Sequence, residues 1–150
     1  MKKVIFFIGI WVMQWSHASE GLVAVESQFD VNTTAERLVE VLEAKGMTVV
    51  SQVNHAQAAN KVGIELRETR LVIFGNPKVG SPLMQCAQAV AIDLPQKALI
   101  WQDDAGKVWL GYNDVDYLKQ RHNIKGCDAV ITKVKGALAA FAAAATAGDK

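Results

Sequence analysis

The chain has few of the residue types that build most catalytic centres. Its 150 residues include only two cysteines, three histidines and three prolines. The sequence contains no C-x-x-C pair, no G-x-S-x-G elbow, no G-x-G-x-x-G fingerprint and no P-loop. These absences exclude the common signatures of thiol redox enzymes, α/β-hydrolases and nucleotide-binding domains, and no carboxylate pair stands out as acid and base. We predict no cofactor, and a non-catalytic protein is favoured over an enzyme.

An excess of positive charge is also missing. Lys and Arg together number 16 against 15 Asp and Glu, which gives a formal net charge of +1 at pH 7. A nucleic-acid-binding surface needs clustered Lys and Arg, and the basic residues here are scattered. The composition therefore predicts no nucleic-acid partner.

The longest uncharged apolar run lies at the N-terminus. Lys2 and Lys3 precede it, it extends over residues 4–15, and Ser16-His17-Ala18 follows. This order of basic, apolar and small residues is that of a secretory signal peptide, and the run is shorter than the roughly 20 residues that span a bilayer. We predict cleavage after Ala18 and a periplasmic or secreted mature protein. A buried strand or a short membrane anchor is the alternative.

The remainder has the length of one ordinary domain. No second long apolar run follows, so we predict a soluble mature chain without a membrane span. We assign residues 19–146 to a single domain and residues 147–150 to a disordered tail.

Hydrophobic periodicity and turn residues predict a mixed order of strands and helices. The strands are expected at residues 22–29, 47–53, 70–75, 97–102 and 107–112. Helices are expected to begin at a capping box, Thr33 to Glu36, at Ser81-Pro82, after a cap at Asn113, and at Cys127, with a short helical connection over residues 55–62. We expect the alanine-rich end of the last helix to fray. The short connections favour an α+β fold with a mainly antiparallel sheet and helices on one face.

Four segments in order carry a family resemblance: Phe74 to Gln85 (FGNPKVGSPLMQ), Ile92 to Pro95, Ile100 to Asp103, and Val108 to Asp114. Together they resemble the DUF302 family of small bacterial and archaeal domains. The resemblance implies a β-α-β4-α architecture similar to the TATA-binding-protein-like fold, here with a short extra helix before the C-terminal hairpin. It also implies pairing as homodimers, and it implies no activity.

The most site-like segment is Gly75 to Met84, which is rich in Gly, Pro and Asn. We predict a loop over residues 76–80, followed by a helix start whose free N–H groups hold an anion or carboxylate. A tight turn that only satisfies local geometry is the alternative. The candidate ligand-binding residues here are Asn76, Pro77, Lys78, Gly80, Ser81 and Met84.

Two indoles lie on the predicted hairpin. Trp101 and Trp109 are expected to be near one another, whereas Tyr112 faces the other side of the sheet. Trp101, Trp109 and Asn113 complete the predicted ligand-binding set, and the two indoles are expected to form part of an apolar pocket or of a dimer contact. Ordinary cross-strand packing is the alternative.

The two histidines beyond the signal, His55 and His122, are the candidate metal ligands. They are far apart in the sequence and form no H-E-x-x-H motif, and a closed zinc site needs about four ligands. We therefore assign no metal site, and expect His122 to end its short helix.

Cys86 and Cys127 form an even pair in a chain predicted to be exported to an oxidising compartment. Both fall on the apolar faces of their helices. We predict a disulfide between them; two separate buried thiols are the alternative.

Two functional hypotheses follow. The favoured one is a non-catalytic binding module for a small ligand or a periplasmic protein partner. The alternative is a metal-dependent or redox accessory protein or enzyme that uses His55, Asn76 and Asn113. The lack of a nucleophile beside a base favours the first.

Overall fold

The computed structural model describes residues 19–148, so the predicted signal peptide lies outside the described residues. Five strands, five α-helices and one 3₁₀ turn follow one another in these residues. In chain order they are β1 Leu22–Ser27, α1 Val31–Ala44, β2 Thr48–Asn54, α2 His55–Asn60, β3 Thr69–Gly75, α3 Pro77–Cys86, the 3₁₀ turn Gln88–Ile92, β4 Gln96–Gln102, β5 Val108–Asn113, α4 Val115–Arg121 and α5 Asp128–Thr146.

The strands form one sheet in the order β1-β5-β4-β3-β2, and every neighbouring pair is antiparallel. The predicted hairpin is confirmed, because Trp101 pairs with Trp109 in register across β4 and β5. The α+β fold with a mainly antiparallel sheet is confirmed as well.

One face of the sheet is covered by α1 and α5. The strands contribute alternate side chains to this core, as period-2 geometry requires: Val72, Phe74, Ala98, Ile100, Val108, Leu110 and Tyr112. Leu38 and Leu42 of α1 meet them from above, and both are almost completely buried. Tyr112 thus faces away from the two tryptophans, as predicted.

The opposite face also carries apolar side chains, but these are only half-buried and lie outside the main core. Register places Trp101 beside Trp109, Leu99 beside Gly111, and Leu71 beside Leu99. We call this surface the open face.

Two of the predicted helix N-caps are wrong, and in both helices the cap is an Asp. Asp30, not Thr33, caps α1 and accepts a hydrogen bond from the Thr33 backbone N–H at 2.7 Å. Asp114, not Asn113, caps α4. In each case the short carboxylate is an N-cap acceptor at least as good as its neighbour.

The Ala-rich end of α5 is helical and packed, whereas fraying was predicted there. Ala142, Ala145 and Thr146 are buried, because the β1–α1 connection packs there. The Gln28 backbone N–H donates to the Thr146 carbonyl at 3.0 Å, and the Gln28 side-chain Oε1 accepts a hydrogen bond from the Gly148 backbone N–H. These two hydrogen bonds tie the end of α5 to the segment that follows β1.

By length and composition, α5 is the one helix of the described residues that is apolar enough to cross a membrane. In this fold it is a core helix, because Val134, Leu138 and Phe141 are buried against the sheet and its neighbours.

The two cysteines lie at disulfide distance. Cys86 ends α3 and Cys127 immediately precedes α5, and their Cα atoms are 6.4 Å apart. The geometry is therefore compatible with the predicted disulfide.

Candidate functional site

A pocket of about 440 Å³ lies where β3 ends and β4 begins. Helix α3, helix α5, the 3₁₀ turn and the edge strand β2 surround it. It is lined by Met47, Thr48, Val50, Phe74, Gly75, Asn76, Pro77, Val79, Gly80, Ser81, Leu83, Met84, Ala91, Leu94, Pro95, Gln96, Lys133, Val134, Ala137, Leu138 and Phe141.

The inner wall of the pocket is continuous with the core. The rings of Phe74 and Phe141 pack edge-to-face, with their centroids 6.4 Å apart. Leu83 and Leu138 are buried beside them. This rigid apolar wall is what a small hydrophobic ligand requires.

Asn76 builds the junction between β3 and α3. Its side-chain Oδ1 accepts from the Lys78 backbone N–H at 2.9 Å, which caps the helix, and its Nδ2 donates to the Gly46 carbonyl at 3.0 Å. Pro77 occupies the first helical position, where the missing N–H costs nothing. Asn76 thus ties α3 to the α1–β2 turn, and both ends of its amide are already engaged.

The predicted loop over residues 76–80 is therefore wrong, since these residues form the start of α3. Ser81 and Pro82 lie within the helix and not at its beginning. The predicted anion site at a helix start on Ser81 is not formed, because backbone N–H groups in mid-helix are used inside the helix.

Gly75 lets the strand end approach the opposite wall. A Cβ atom at Gly75 would lie 3.3 Å from the Pro95 Cβ, which is tighter than ordinary contact. The close approach of β3 and the Leu94–Pro95 segment shapes this side of the pocket.

Gln96 is the polar group that sequence patterning overlooked. It shares the covered face with Ala98 and Ile100, it is only 8% exposed, and it lines the pocket. Its side chain makes no hydrogen bond to any of the residues that the structure describes. Among the described residues, Arg70 Nε is the one fully buried side-chain N or O atom without a partner. The Gln96 amide is therefore still accessible from the pocket, where it can form hydrogen bonds with water or with a ligand. Its position in phase with buried apolar residues was the signal available in the sequence.

Lys133 is the single charged residue of the lining and lies on an exposed part of α5. No carboxylate among residues 19–148 pairs with it. Thr48 and Ser81 add hydroxyl groups to the lining. The arrangement combines an apolar interior with a few polar groups.

The structure brings together five of the predicted ligand-binding residues in this pocket: Asn76, Pro77, Gly80, Ser81 and Met84. Lys78 belongs to the same helix but is not part of the lining. Trp101, Trp109 and Asn113 are on the open face, because Trp101 pairs with Trp109 and Asn113 lies an even number of residues after Trp109 on the same strand. The predicted set therefore divides into two separate surfaces.

The tryptophans of the open face are held in fixed positions. The Trp101 ring lies over Gly111, where an added Cβ would come within 2.9 Å of it. The Trp109 indole N–H donates to Asp103 Oδ2 at 2.8 Å, and this bond lowers the pKa of the Asp103 carboxyl. The hairpin turn and the aromatic pair thus support each other.

The two histidines are in different places. His55 begins α2, while His122 follows α4 and pairs through Nε2 with Asp93 Oδ2 at 2.5 Å. Arg121 Nη1 donates to the other oxygen of Asp93 at 2.9 Å. Within residues 19–148, no group of three or more His, Cys, Asp or Glu side chains is arranged to hold a metal ion. His122 ends its helix, as predicted, and serves to join α4 to the segment before β4.

These features define a small α+β domain with one helix-covered sheet face and a largely apolar pocket at the edge of that cover. A family model described as "Domain of unknown function DUF302" matches residues 23–141, and the chain belongs to this family. The resemblance carried by the sequence motifs is thereby confirmed.

A solved structure shares the fold. It is the uncharacterized conserved protein DUF302 from Bacillus stearothermophilus, with a TM-score of 0.74 and 21% sequence identity. The similarity covers 83% of this chain and 97% of that one. At this identity the likeness establishes the fold alone.

Curated relatives are similar over part of their length. Fluoride-specific ion channel FluC 1 of Brucella suis biovar 1 (strain 1330) is 45% identical over 104 residues, which are 69% of this chain and 41% of that protein. Fluoride-specific ion channel FluC 1 of Brucella abortus biovar 1 (strain 9-941) has the same identity over 104 residues, with 38% of its length covered. The chain thus spans well under half of these relatives.

Proposed function

We propose that this domain is a non-catalytic binding module that holds a small, largely apolar ligand in the pocket beside α3. The observation that carries the proposal is the pocket itself, about 440 Å³ with a mainly apolar lining, in which the Gln96 amide has no protein partner and is accessible to a ligand. Pockets for small molecules measure about 300–1,000 Å³ and combine apolar walls with a few polar groups. The pocket described here has that size and composition.

The make-up of the lining supports binding over catalysis. The pocket residues include no His, Cys, Asp or Glu, so Lys133 is the one side chain of the lining that could serve as a general acid or base. Ser81 and Lys133 are present as nucleophile types, but neither has an activating base in the lining. The alternative of a metal-dependent or redox protein acting through His55, Asn76 and Asn113 loses support, because these three residues do not share a site.

Export is part of the proposal. The two cysteines at disulfide distance are what an oxidising compartment favours, and the basic, apolar and small segments of residues 1–18 provide the signal. The domain then acts in the periplasm or outside the cell after cleavage near Ala18. Intact-mass analysis of protein recovered from that compartment tests this step, and retention of Lys2 would contradict it.

Homodimerisation through the open face is also part of the proposal. Half-buried Trp101, Trp109, Leu71 and Leu99 share this face, and a contiguous apolar patch of that kind marks an interaction surface. Light scattering at micromolar concentration is expected to give the mass of two chains. Trp109→Lys should give one chain, while Val62→Lys, at an exposed apolar residue elsewhere, should remain a dimer.

The channel activity named for the Brucella relatives is not included in the proposal. The shared stretch is 38–41% of those proteins, and the pocket is a feature of this domain.

Nile red, an uncharged apolar dye, tests the ligand pocket directly. The exported protein is expected to bind it with enhanced fluorescence. Ala137→Trp fills the pocket from α5 and should weaken binding by about tenfold or more, because the dye and the indole compete for one volume. Ala140→Trp, at an exposed position of the same helix, should bind as the unmodified protein does.

Thermal unfolding of both variants separates occlusion of the pocket from loss of the fold. If Ala137→Trp fails to fold, displacement of Nile red by an uncharged long-chain alcohol provides the test in the unmodified protein. Equal dye binding by the two folded variants would overturn the proposed site.

A further inference from the structure

We infer that the natural ligand of this pocket is a single-chain apolar carboxylic acid, whose head group pairs with Lys133. This inference rests on the proposed function and adds the chemical class of the ligand. It begins from the contrast between the one charged residue of the lining and the apolar walls behind it.

Helix α5 gives the pocket a direction. Lys133, Ala137 and Phe141 all line it, and spacing of four residues places them on the same side of the helix. Lys133 is exposed, whereas Phe141 is buried against Phe74. At 1.5 Å per residue the two ends of this row are about 12 Å apart along the helix axis. The pocket therefore has a cationic end near the solvent and an apolar end in the core.

The charge of Lys133 is available to a ligand. Two other lysines of this region, Lys119 and Lys135, are paired with Asp128 and Asp116. Lys133 has no such partner among the described residues, and the lining contains no acidic group that would compete for it. Its aliphatic stem can cover the apolar mouth while the ammonium remains in water.

The number of donors favours a carboxylate head group. Phosphate groups are usually held by several cationic donors at once. Here Lys133 supplies the one cationic group, and the other polar side chains of the lining are neutral: Thr48, Asn76, Ser81 and Gln96. A volume of about 440 Å³ lies in the lower part of the range for small-molecule pockets. A single acyl chain suits that volume better than a two-chain lipid.

Calorimetric titration with two chain-matched ligands tests the inference. Laurate and dodecanol have the same chain length and differ in the charged head group. We expect laurate to bind about three- to fivefold more tightly than dodecanol, which is the upper part of the range for a solvent-exposed ion pair. Lys133→Met should lower laurate affinity to the dodecanol value and leave dodecanol unchanged.

Lys125→Met is the matched control, since Lys125 is exposed and is not part of the lining. It should not change either affinity. Equal binding of laurate and dodecanol, with no effect of Lys133→Met, would overturn the acid class while leaving the apolar pocket in place. Absence of binding by laurate, dodecanol and Nile red would instead overturn the proposed function itself.

Discussion

The two faces of the sheet differ in how far helices cover them. On one face, Phe74 and Ile100 are about 1% exposed or less beneath α1 and α5. On the other, Leu71, Leu99 and the tryptophan pair are only half-buried. The same strands supply both sets, because side chains alternate along a strand. One face is thus covered by the chain's own helices, while the other is the face through which we propose that two chains pair.

The pocket is the place where the helical cover is incomplete. Helix α3 and the 3₁₀ turn close the end of the sheet beside α5, but they leave a space against Phe74 and Gln96. The covered face therefore combines the most tightly packed part of the molecule with its best candidate ligand site.

The largest expected effect on stability comes from truncating a buried side chain of the covered face. Phe74→Ala should lower the free energy of unfolding by about 3–5 kcal/mol, because it removes a buried ring and leaves a cavity. Ile73→Ala, its neighbour on the open face, should cost less than half as much in the monomer. Urea unfolding of both variants measures the difference, and equal losses would mean that both faces are packed alike.

The cysteine pair fastens the helix layer over the covered face. Its removal by Cys86→Ala with Cys127→Ala should lower the free energy of unfolding by about 2–4 kcal/mol, since the bridge closes a long loop. Thiol titration of unfolded, unreduced protein should find no free thiol. Two free thiols per chain in exported material would refute the bridge.

Gln96→Leu should change the stability of the covered face in the opposite direction, so that the ligand-free protein becomes more stable. Without ligand, the Gln96 amide has no hydrogen bond to the described residues, and folding removes most of its side chain from water. Its replacement by an apolar side chain of similar size should therefore raise the free energy of unfolding by up to about 1 kcal/mol. Chemical denaturation of ligand-free protein measures this. A loss of stability would show that Gln96 serves the fold instead of a ligand.

The smallest expected effect concerns Asp103 on the open side. The Trp109 indole N–H lowers the pKa of this carboxyl in the folded state. A lowered folded pKa contributes stability above the unfolded pKa, which is lost as the pH falls through the folded value. The melting temperature should therefore decline below about pH 4 less steeply in Asp103→Asn than in the unmodified protein. Parallel profiles would remove Asp103 from the acid response.

Sequence patterns succeeded where the deciding interactions are local. The hairpin from β4 to β5 was predictable because its turn residues and alternation lie within one short stretch. The helix starts were less predictable, since Asp30 and Asp114 compete with adjacent polar residues for the same N–H groups. At Asn76 the helix start also depends on a distant residue, because the Asn76 Nδ2 donates to the Gly46 carbonyl.

The sequence by itself determined the order of elements and the family, and it singled out the segment from Asn76 to Met84 as the one most typical of a site. Only the tertiary structure decided that Trp101 and Trp109 lie on the other side of the sheet from that wall, and that Gln96 and Lys133 complete it. The reason is physical: periodicity shows which residues share a face of one element, whereas a pocket depends on how separate elements pack. Gln96 and Lys133 come from a strand and a helix that meet only after the chain has folded.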